Sequence, residues 1–251
     1  MASRQDALEA PEYPDDLPFY DGRPVAIASW GWLAVVAAVP LAFFILSVSG
    51  PVASTQAAAL LPTFLFAGLP LAALALAAGR HWTALFRPYG PKAFGVSLLF
   101  ALATLAVSGV VALALQILVP MQPNPILAAL AQMGAAETAL FFARTIVQLV
   151  GEEVATILPL LAILWFAHER LGLSRRVGLA LGIVLSTVWF SAMHLPTYDW
   201  NPLQCFGIIG SSRLVLTAAY VLTRNLWVSA GAHILNDWSL FVLSLAIPDE
   251  A

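Results

Sequence analysis

The sequence predicts an all-α fold, a polytopic membrane bundle of about seven transmembrane helices with an eighth as the open alternative. Three observations carry that expectation. Of the 251 residues, 61% are hydrophobic and only 10% are charged. The mean hydropathy is +0.87. The apolar stretches also follow one another without a linker that would separate two domains. A soluble domain of this length has no interior large enough to hide so much apolar surface.

The first 26 residues stand apart, with Asp6, Glu9, Glu12, Asp15, Asp16 and Asp21 spaced among prolines. They lack the short basic start of a secretory signal and are expected to form a disordered, uncleaved cytoplasmic tail. Beyond them, a helix needs about 20 mostly apolar residues to cross the hydrocarbon core. Such windows occur at 27–49, 56–79, 94–119, 140–168, 177–195, 203–223 and 226–247, so the transmembrane domain is expected over 27–247. The stretch 126–138 is short and polar at its end, which suits an interfacial helix or an extension of the fourth span.

Charge tests the count, because Lys and Arg collect in cytoplasmic loops. With seven spans and the N-terminus inside, Arg4, Arg23, Arg80, Arg87, Lys92, Arg170, Arg175, Arg176 and Arg224 share the cytoplasmic side, nine of eleven cations. An eighth span at 126–138 would put Arg170, Arg175 and Arg176 outside. A multi-pass inner-membrane topology with a cytoplasmic N-terminus is therefore expected. The single cysteine, Cys205, rules out an internal disulfide framework. The chain has no basic run suited to nucleic acid, so its expected surroundings are the lipid bilayer and a membrane-associated partner.

Ionisable groups inside spans are costly and tend to line a cavity, pair or do chemistry. Here they are Glu137, Arg144, Glu152, Glu153, His194, Arg213, His233 and Asp237, with Asn236 as a neutral neighbour. Glu152 and Glu153 are adjacent, so on a helix they point about 100° apart. One can face a cleft while the other pairs with a neighbouring helix. Phe190 lies one turn before His194, and His233 precedes Asn236 and Asp237 at spacings that share one stripe. Counted at ~1.5 Å per residue from the nearest cytoplasmic cation, Glu152 and His194 each lie about 27 Å deep, but His233 only about 13 Å. That mismatch is an expectation for the structure to answer.

In chain order, Glu152-Glu153, Phe190 to His194 and His233 to Asp237 resemble the motifs of the CAAX-protease and bacteriocin-processing (CPBP, or ABI) intramembrane proteases, the family that includes the Ras-converting CAAX prenyl endopeptidase. The stretches 194–201 and 225–238 look like bacterial members, and the similarity covers roughly 137–240. The chain departs from the family at Ile157, where an Arg usually follows the second Glu by four residues. Arg213 on the sixth span is the candidate replacement charge.

The resemblance implies a glutamic-type intramembrane endopeptidase acting on a membrane protein or peptide. In it Glu152 with His194 activates water, His233 with Asn236 or Asp237 stabilises the oxyanion, Glu153 orients its neighbours, and Phe190 and Arg213 support them. No cofactor is required in that mechanism. A zinc-dependent metalloprotease version, with Glu152, His194 and His233 as ligands, is the alternative, since neutral His and carboxylate suit zinc. His168-Glu169 lacks the second His of a His-Glu-x-x-His site. Serine and aspartyl types fit less well: Gly210-Ser211-Ser212 suits close helix packing, and Asp237 has no second intramembrane Asp. A transporter or non-catalytic scaffold that uses the polar cluster as an ion site is the rival from another class, although no internal repeat supports it.

Overall fold

The computed structural model describes residues 13–49 and 55–246, and among them every regular element is helical. Helix α1 spans Ser29–Ser49 and α2 spans Leu60–Ala78, which runs on as a 3-10 turn over Gly79–Leu85. Helix α3 covers Pro91–Leu115, with Pro91 at a first position where no backbone donor is needed. Helix α4, Pro125–Ala131, is capped by the Asn124 side chain, which accepts from the Ile126 N–H at 3.1 Å. Helix α5, Ala135–Trp165, continues into a π-helical turn over Phe166–Arg170. Then come α6, Arg175–Met193, and α7, Gly210–Thr223, the latter preceded by a π-helical turn over Gln204–Ile209. Helix α8 closes the bundle at Leu226–Ala246.

All seven expected windows are helices. Six of the described helices are long and apolar enough to cross a membrane. The remaining one, α8, has 21 residues but loses hydropathy to His233, Asn236 and Asp237 at its middle. Helix α4, with 7 residues, is far too short to be an eighth span. It is separate from α5, so 126–138 is divided between a short helix and the first turn of α5.

Burial identifies the centre of the bundle. In its most apolar stretch α5 is 67% buried, whereas α3 is 11% buried and presents Leu99, Val110 and Leu113 outward. Helix α5 packs against α2, α6 and α8. Two glycines one turn apart on α6 permit its approach. A Cβ on Gly178 would meet the Leu164 side chain at 3.0 Å, and one on Gly182 would meet the Leu160 carbonyl oxygen at 2.9 Å. Small residues at this spacing let helix backbones come close.

The expected disordered tail over 1–26 is corrected where it is described. Residues 1–12 lie outside the described residues, but from residue 13 the chain packs on the bundle. Leu17, Phe19 and Tyr20 are buried in the same apolar cluster as Trp32, Leu74, Leu158 and Tyr220. Composition hid this because the acidic residues flank the apolar anchors and find specific partners. Asp16 accepts from Arg175 Nε and Nη2, each at 2.5 Å, and from the Tyr20 hydroxyl at 2.9 Å. Arg87 donates to the Pro14 carbonyl at 2.6 Å, and Arg224 donates to that of Asp15. Arg87, Arg175 and Arg224 thus gather around one segment at one end of the bundle.

Two expectations follow from this packing. Gly182→Ala should cost about 1–3 kcal/mol of unfolding stability in detergent, since a backbone oxygen cannot yield as a side chain would. Gly68→Ala, where a Cβ meets open space, should cost nothing, and equal responses at the two sites would refute the close α5–α6 contact. Burial pushes the Asp16 carboxyl up, but Arg175, the Leu17 N–H and Tyr20 outweigh it and hold it below the usual carboxylate range. A lowered folded-state pKa means stability that is present above about pH 3.9 and is lost as the pH falls through the lowered value. Hydrogen-exchange protection over residues 13–24, taken relative to the intrinsic rate at each pH, should therefore be high at pH 7 and fall on acidification below about pH 4, a fall that Asp16→Asn would show already at pH 7.

Candidate active site

The polar residues of α5, α6, α7 and α8 line one cavity of about 850 Å³ inside the bundle. Glu152, His194, His233, Asn236 and Asp237 are all on its wall, together with Phe190 and Arg213. Glu153 lies behind that wall, fully buried.

The adjacent glutamates divide as helical geometry requires. Glu153 points away from the cavity toward α7, where Arg213 grips it with two parallel bonds, Nη1 to Oε1 at 2.6 Å and Nη2 to Oε2 at 2.9 Å. Both side chains are 0% exposed. Arg213 Nε donates to Thr217 Oγ1 at 3.2 Å, and its guanidinium lies 5.1 Å over the Phe190 ring. Ile157, where the family carries Arg, is fully buried among Val154, Leu158 and Leu161. The charge that faces Glu153 thus comes from a different helix.

Glu153 also fixes His233. The Nδ1–H of His233 donates to Glu153 Oε1 at 2.9 Å, because a carboxylate already gripped by Arg can only accept. That leaves Nε2 turned to the cavity, 3.8 Å from Glu152 Oε2 and 3.7 Å from Asp237 Oδ1. Asn236 Nδ2 donates to Asp237 Oδ1 at 2.9 Å, and Asn236 Oδ1 is buried without a partner among the described residues.

The depth mismatch at His233 is corrected. His233 is at the level of Glu152, and the counting misled because α5 with its π-helical turn is 36 residues long. At ~1.5 Å per residue that far exceeds a ~30 Å hydrocarbon core, so a count of residues back from its last cation is not a depth. The α7–α8 joint is also minimal. Arg224 takes a left-handed conformation at φ 54°, and Asn225 Oδ1 accepts the Trp227 N–H at 3.1 Å.

His194 follows the last residue of α6. Its Nδ1–H donates to the Phe190 carbonyl at 2.8 Å, and its ring packs on that of Phe190 with centroids 4.7 Å apart. The tautomer set by that bond leaves Nε2 with a free lone pair. Phe190 thereby touches His194, His233 and Arg213, with the His233 ring at 6.3 Å.

Three further cavity residues were not singled out as site residues by the motifs. Gln148 Nε2 donates to Glu152 Oε1 at 3.2 Å and Gln148 Oε1 accepts from Arg144 Nη1 at 2.8 Å. The signal for that chain was the run 144, 148, 152 at helical i, i+4 spacing. Tyr198 follows His194 in the loop after α6, and burial, with Asp237 behind it, pushes its phenol up to about 12. It therefore remains a hydroxyl donor at neutral pH.

Among the described residues no three of His, Cys, Asp and Glu converge as a metal site. His233 Nε2 and Glu152 Oε2 are 3.8 Å apart, a separation two ligands of one ion can have, but His194 does not join them in such a group. The proposed zinc set of Glu152, His194 and His233 does not fit this geometry, and no step is routed through a metal.

Arg213→Ala should cost about 3–5 kcal/mol of unfolding stability in detergent, because it strands Glu153 in the interior. Arg213→Lys should recover part of that while losing the paired grip. Stability within 1 kcal/mol of wild type for Arg213→Ala would contradict the pairing.

Comparison with known families agrees with the motifs. Residues 133–239 match the family model described as Rce1-like, type II CAAX prenyl endopeptidase. Comparisons with curated proteins and with solved structures gave no match. The matched segment runs from just before α5 into α8 and contains every motif residue named above. This membrane-embedded helical chain therefore carries, over residues 133–239, a domain of the Rce1-like CAAX prenyl endopeptidase family of intramembrane proteases.

Proposed function

We propose that the chain is a glutamic-type intramembrane endopeptidase that hydrolyses a peptide bond of a membrane-associated protein or peptide without a resident metal. The observation that carries this reading is the division of labour between the two glutamates. Glu153 is consumed by Arg213 and His233, whereas Glu152 is on the cavity wall with one oxygen directed toward His233.

In this reading a water between Glu152 and His194 loses a proton to them as its oxygen attacks the scissile carbonyl. Glu152 is held by the Gln148 amide, and His194 presents Nε2 because Phe190 holds its other nitrogen. Carbonyl addition places negative charge on oxygen, which needs donors already in position. His233, doubly protonated among the carboxylates of Glu152, Glu153 and Asp237, supplies its Nε2–H, aimed by Glu153, and the amide of Asn236 supplies a second donor. Asp237 is an acceptor when ionised, so its part is to orient Asn236 and His233 rather than to contact the oxyanion. Collapse of the intermediate breaks the C–N bond, and the proton taken from water passes to the leaving amine.

Cleavage of a tagged membrane substrate by purified protein in liposomes tests this. Glu152→Gln and His194→Ala should each lower the rate by roughly 10²–10⁴-fold while unfolding at the wild-type temperature. A chelator should leave the wild-type rate unchanged. Loss of activity on chelation would replace this mechanism with a metal-dependent one. Undiminished cleavage by both variants would remove Glu152 and His194 from the catalytic role.

A further inference from the structure

Every described Lys and Arg except the intramembrane Arg144 and Arg213 is at one end of the bundle, where α1, α3, α6 and α8 begin and α2, α5 and α7 finish. The opposite end presents Glu137 and Asp199 and, among the described residues, no cation. Most acidic groups at the cationic end are engaged locally: Asp16 with Arg175, Asp21 with Arg23, and Glu169 beside His168. Arg87 and Arg224 are left as neighbours without a counter-charge.

Arg87 follows the 3-10 turn after α2, and Arg224 closes α7. Asn225 ties the two joints together, accepting the Arg87 backbone N–H at 3.0 Å and donating to the Pro88 carbonyl at 3.3 Å. Each guanidinium donates to a carbonyl of the N-terminal segment, Arg87 Nη2 to Pro14 at 2.6 Å and Arg224 Nη1 to Asp15. The Arg87 guanidinium also lies 5.4 Å over the Tyr13 ring. All of these partners are neutral. Among the described residues neither cation forms an ion pair, and the exposed Asp15 carboxylate reaches neither. Arg87 Nε and the hydroxyl of Tyr220, one turn before Arg224, are both shielded from solvent with no hydrogen-bond partner among the described residues.

Topology alone explains why cations collect at one end of the spans, and the exposed Arg80 and Arg176 need no more than that. It does not explain two guanidiniums fixed side by side with donors unfilled. Burial, and then the like charge of Arg224, hold Arg87 below its ordinary pKa. An anion between the two would remove the repulsion and fill the spare donors. The guanidinium fork matches phosphate oxygens with parallel bonds, and the ends of the spans lie at the level of the lipid headgroups.

We propose that Arg87 and Arg224 form a binding site for the phosphate of an anionic phospholipid headgroup, with residues 13–16 as its rim. The two guanidiniums share the phosphate oxygens through the donors that Pro14 and Asp15 leave free. Because the same cations hold those two carbonyls, an occupied site fastens the N-terminal segment to the bundle. The site is independent of the proteolytic reading of the central cavity.

The test uses full-length protein in neutral detergent and chain-labelled phosphatidylglycerol, with equally labelled phosphatidylcholine as the reference, read by energy transfer from the protein's tryptophans. It is run at about 1 M salt, where a Debye length of about 3 Å screens diffuse surface attraction but spares charges in contact. Wild type should prefer phosphatidylglycerol by about 25-fold, and Arg87→Gln and Arg224→Gln should each lower that preference about fivefold. Arg80→Gln and Arg176→Gln should leave it unchanged. Phosphatidylglycerol should also raise hydrogen-exchange protection over residues 13–24 in wild type and not in the two site variants. Inorganic phosphate that displaces the labelled lipid supports the site with a soluble phosphate as an equal occupant, and failure to displace it assigns the site to the headgroup. A wild-type preference near one, or an equal loss in all four variants, overturns the proposal. A preference that emerges only in Glu9→Gln with Glu12→Gln also overturns it, by giving the cations to the chain's own carboxylates. If the Gln variants fail to fold, Arg87→Lys and Arg224→Lys, which keep the charge and lose the fork, should each retain only part of the preference, and full retention in both overturns the site.

Discussion

The buried pair of Glu153 and Arg213 is the interaction on which the rest of the site depends. Two charges withdrawn from water cost several kcal/mol each, and the cost is offset by mutual attraction in good geometry with further hydrogen bonds. Here three helices supply them: α5 the carboxylate, α7 the guanidinium, and α8 the imidazole that donates to Glu153 Oε1. Phe190 of α6 covers the guanidinium face. The pair therefore holds four helices in register and aims His233 Nε2 into the cavity. Because Glu153 is held by Arg213 and His233, Glu152 is the glutamate that faces the cavity.

The location of the cation explains how Ile157 is tolerated. An Arg one turn beyond Glu153 on α5 would have to turn its charge out of an apolar cluster that includes Leu226 and the anchored N-terminal residues Leu17 and Phe19. With Ile there, the cluster stays apolar, and it reaches from the N-terminal segment to Val154, beside Glu153. The cation enters instead from α7, where Thr217 accepts from its remaining side. The same electrostatic requirement is met with a different helix, and an extra tie between α5 and α7 results.

Much of this was readable from residue order. The seven helical windows follow from runs of apolar residues, and the separation of the two glutamates follows from a 100° step. The pairing of His233 with Glu152 across helices was not readable. Depth along a helix was counted from its last cation, and α5 with its π-helical turn is longer than a hydrocarbon core is thick. The ordering of residues 13–26 was also hidden, because Leu17, Phe19 and Tyr20 are three anchors in an acidic stretch, and their burial depends on Arg87, Arg175 and Arg224 being brought to one place by the fold. Arg213 was visible as a misplaced cation, but a single residue on a helix carries no information about which neighbour it faces. Gln148 and Arg144 were legible as an i, i+4 run with Glu152, although neutral Gln attracts no notice until the carboxylate beside it is known to face a cavity.

The most direct test of this account is to remove both buried charges together. Glu153→Met with Arg213→Met, studied in liposomes beside each single substitution, separates folding from positioning. Removing the pair leaves no stranded charge, so the double variant should unfold at higher denaturant than either single one. With His233 no longer aimed, it should still cleave on the order of 10²-fold more slowly than wild type. A stably folded double variant that cleaves at the wild-type rate would contradict the proposal that this pair positions His233 for catalysis.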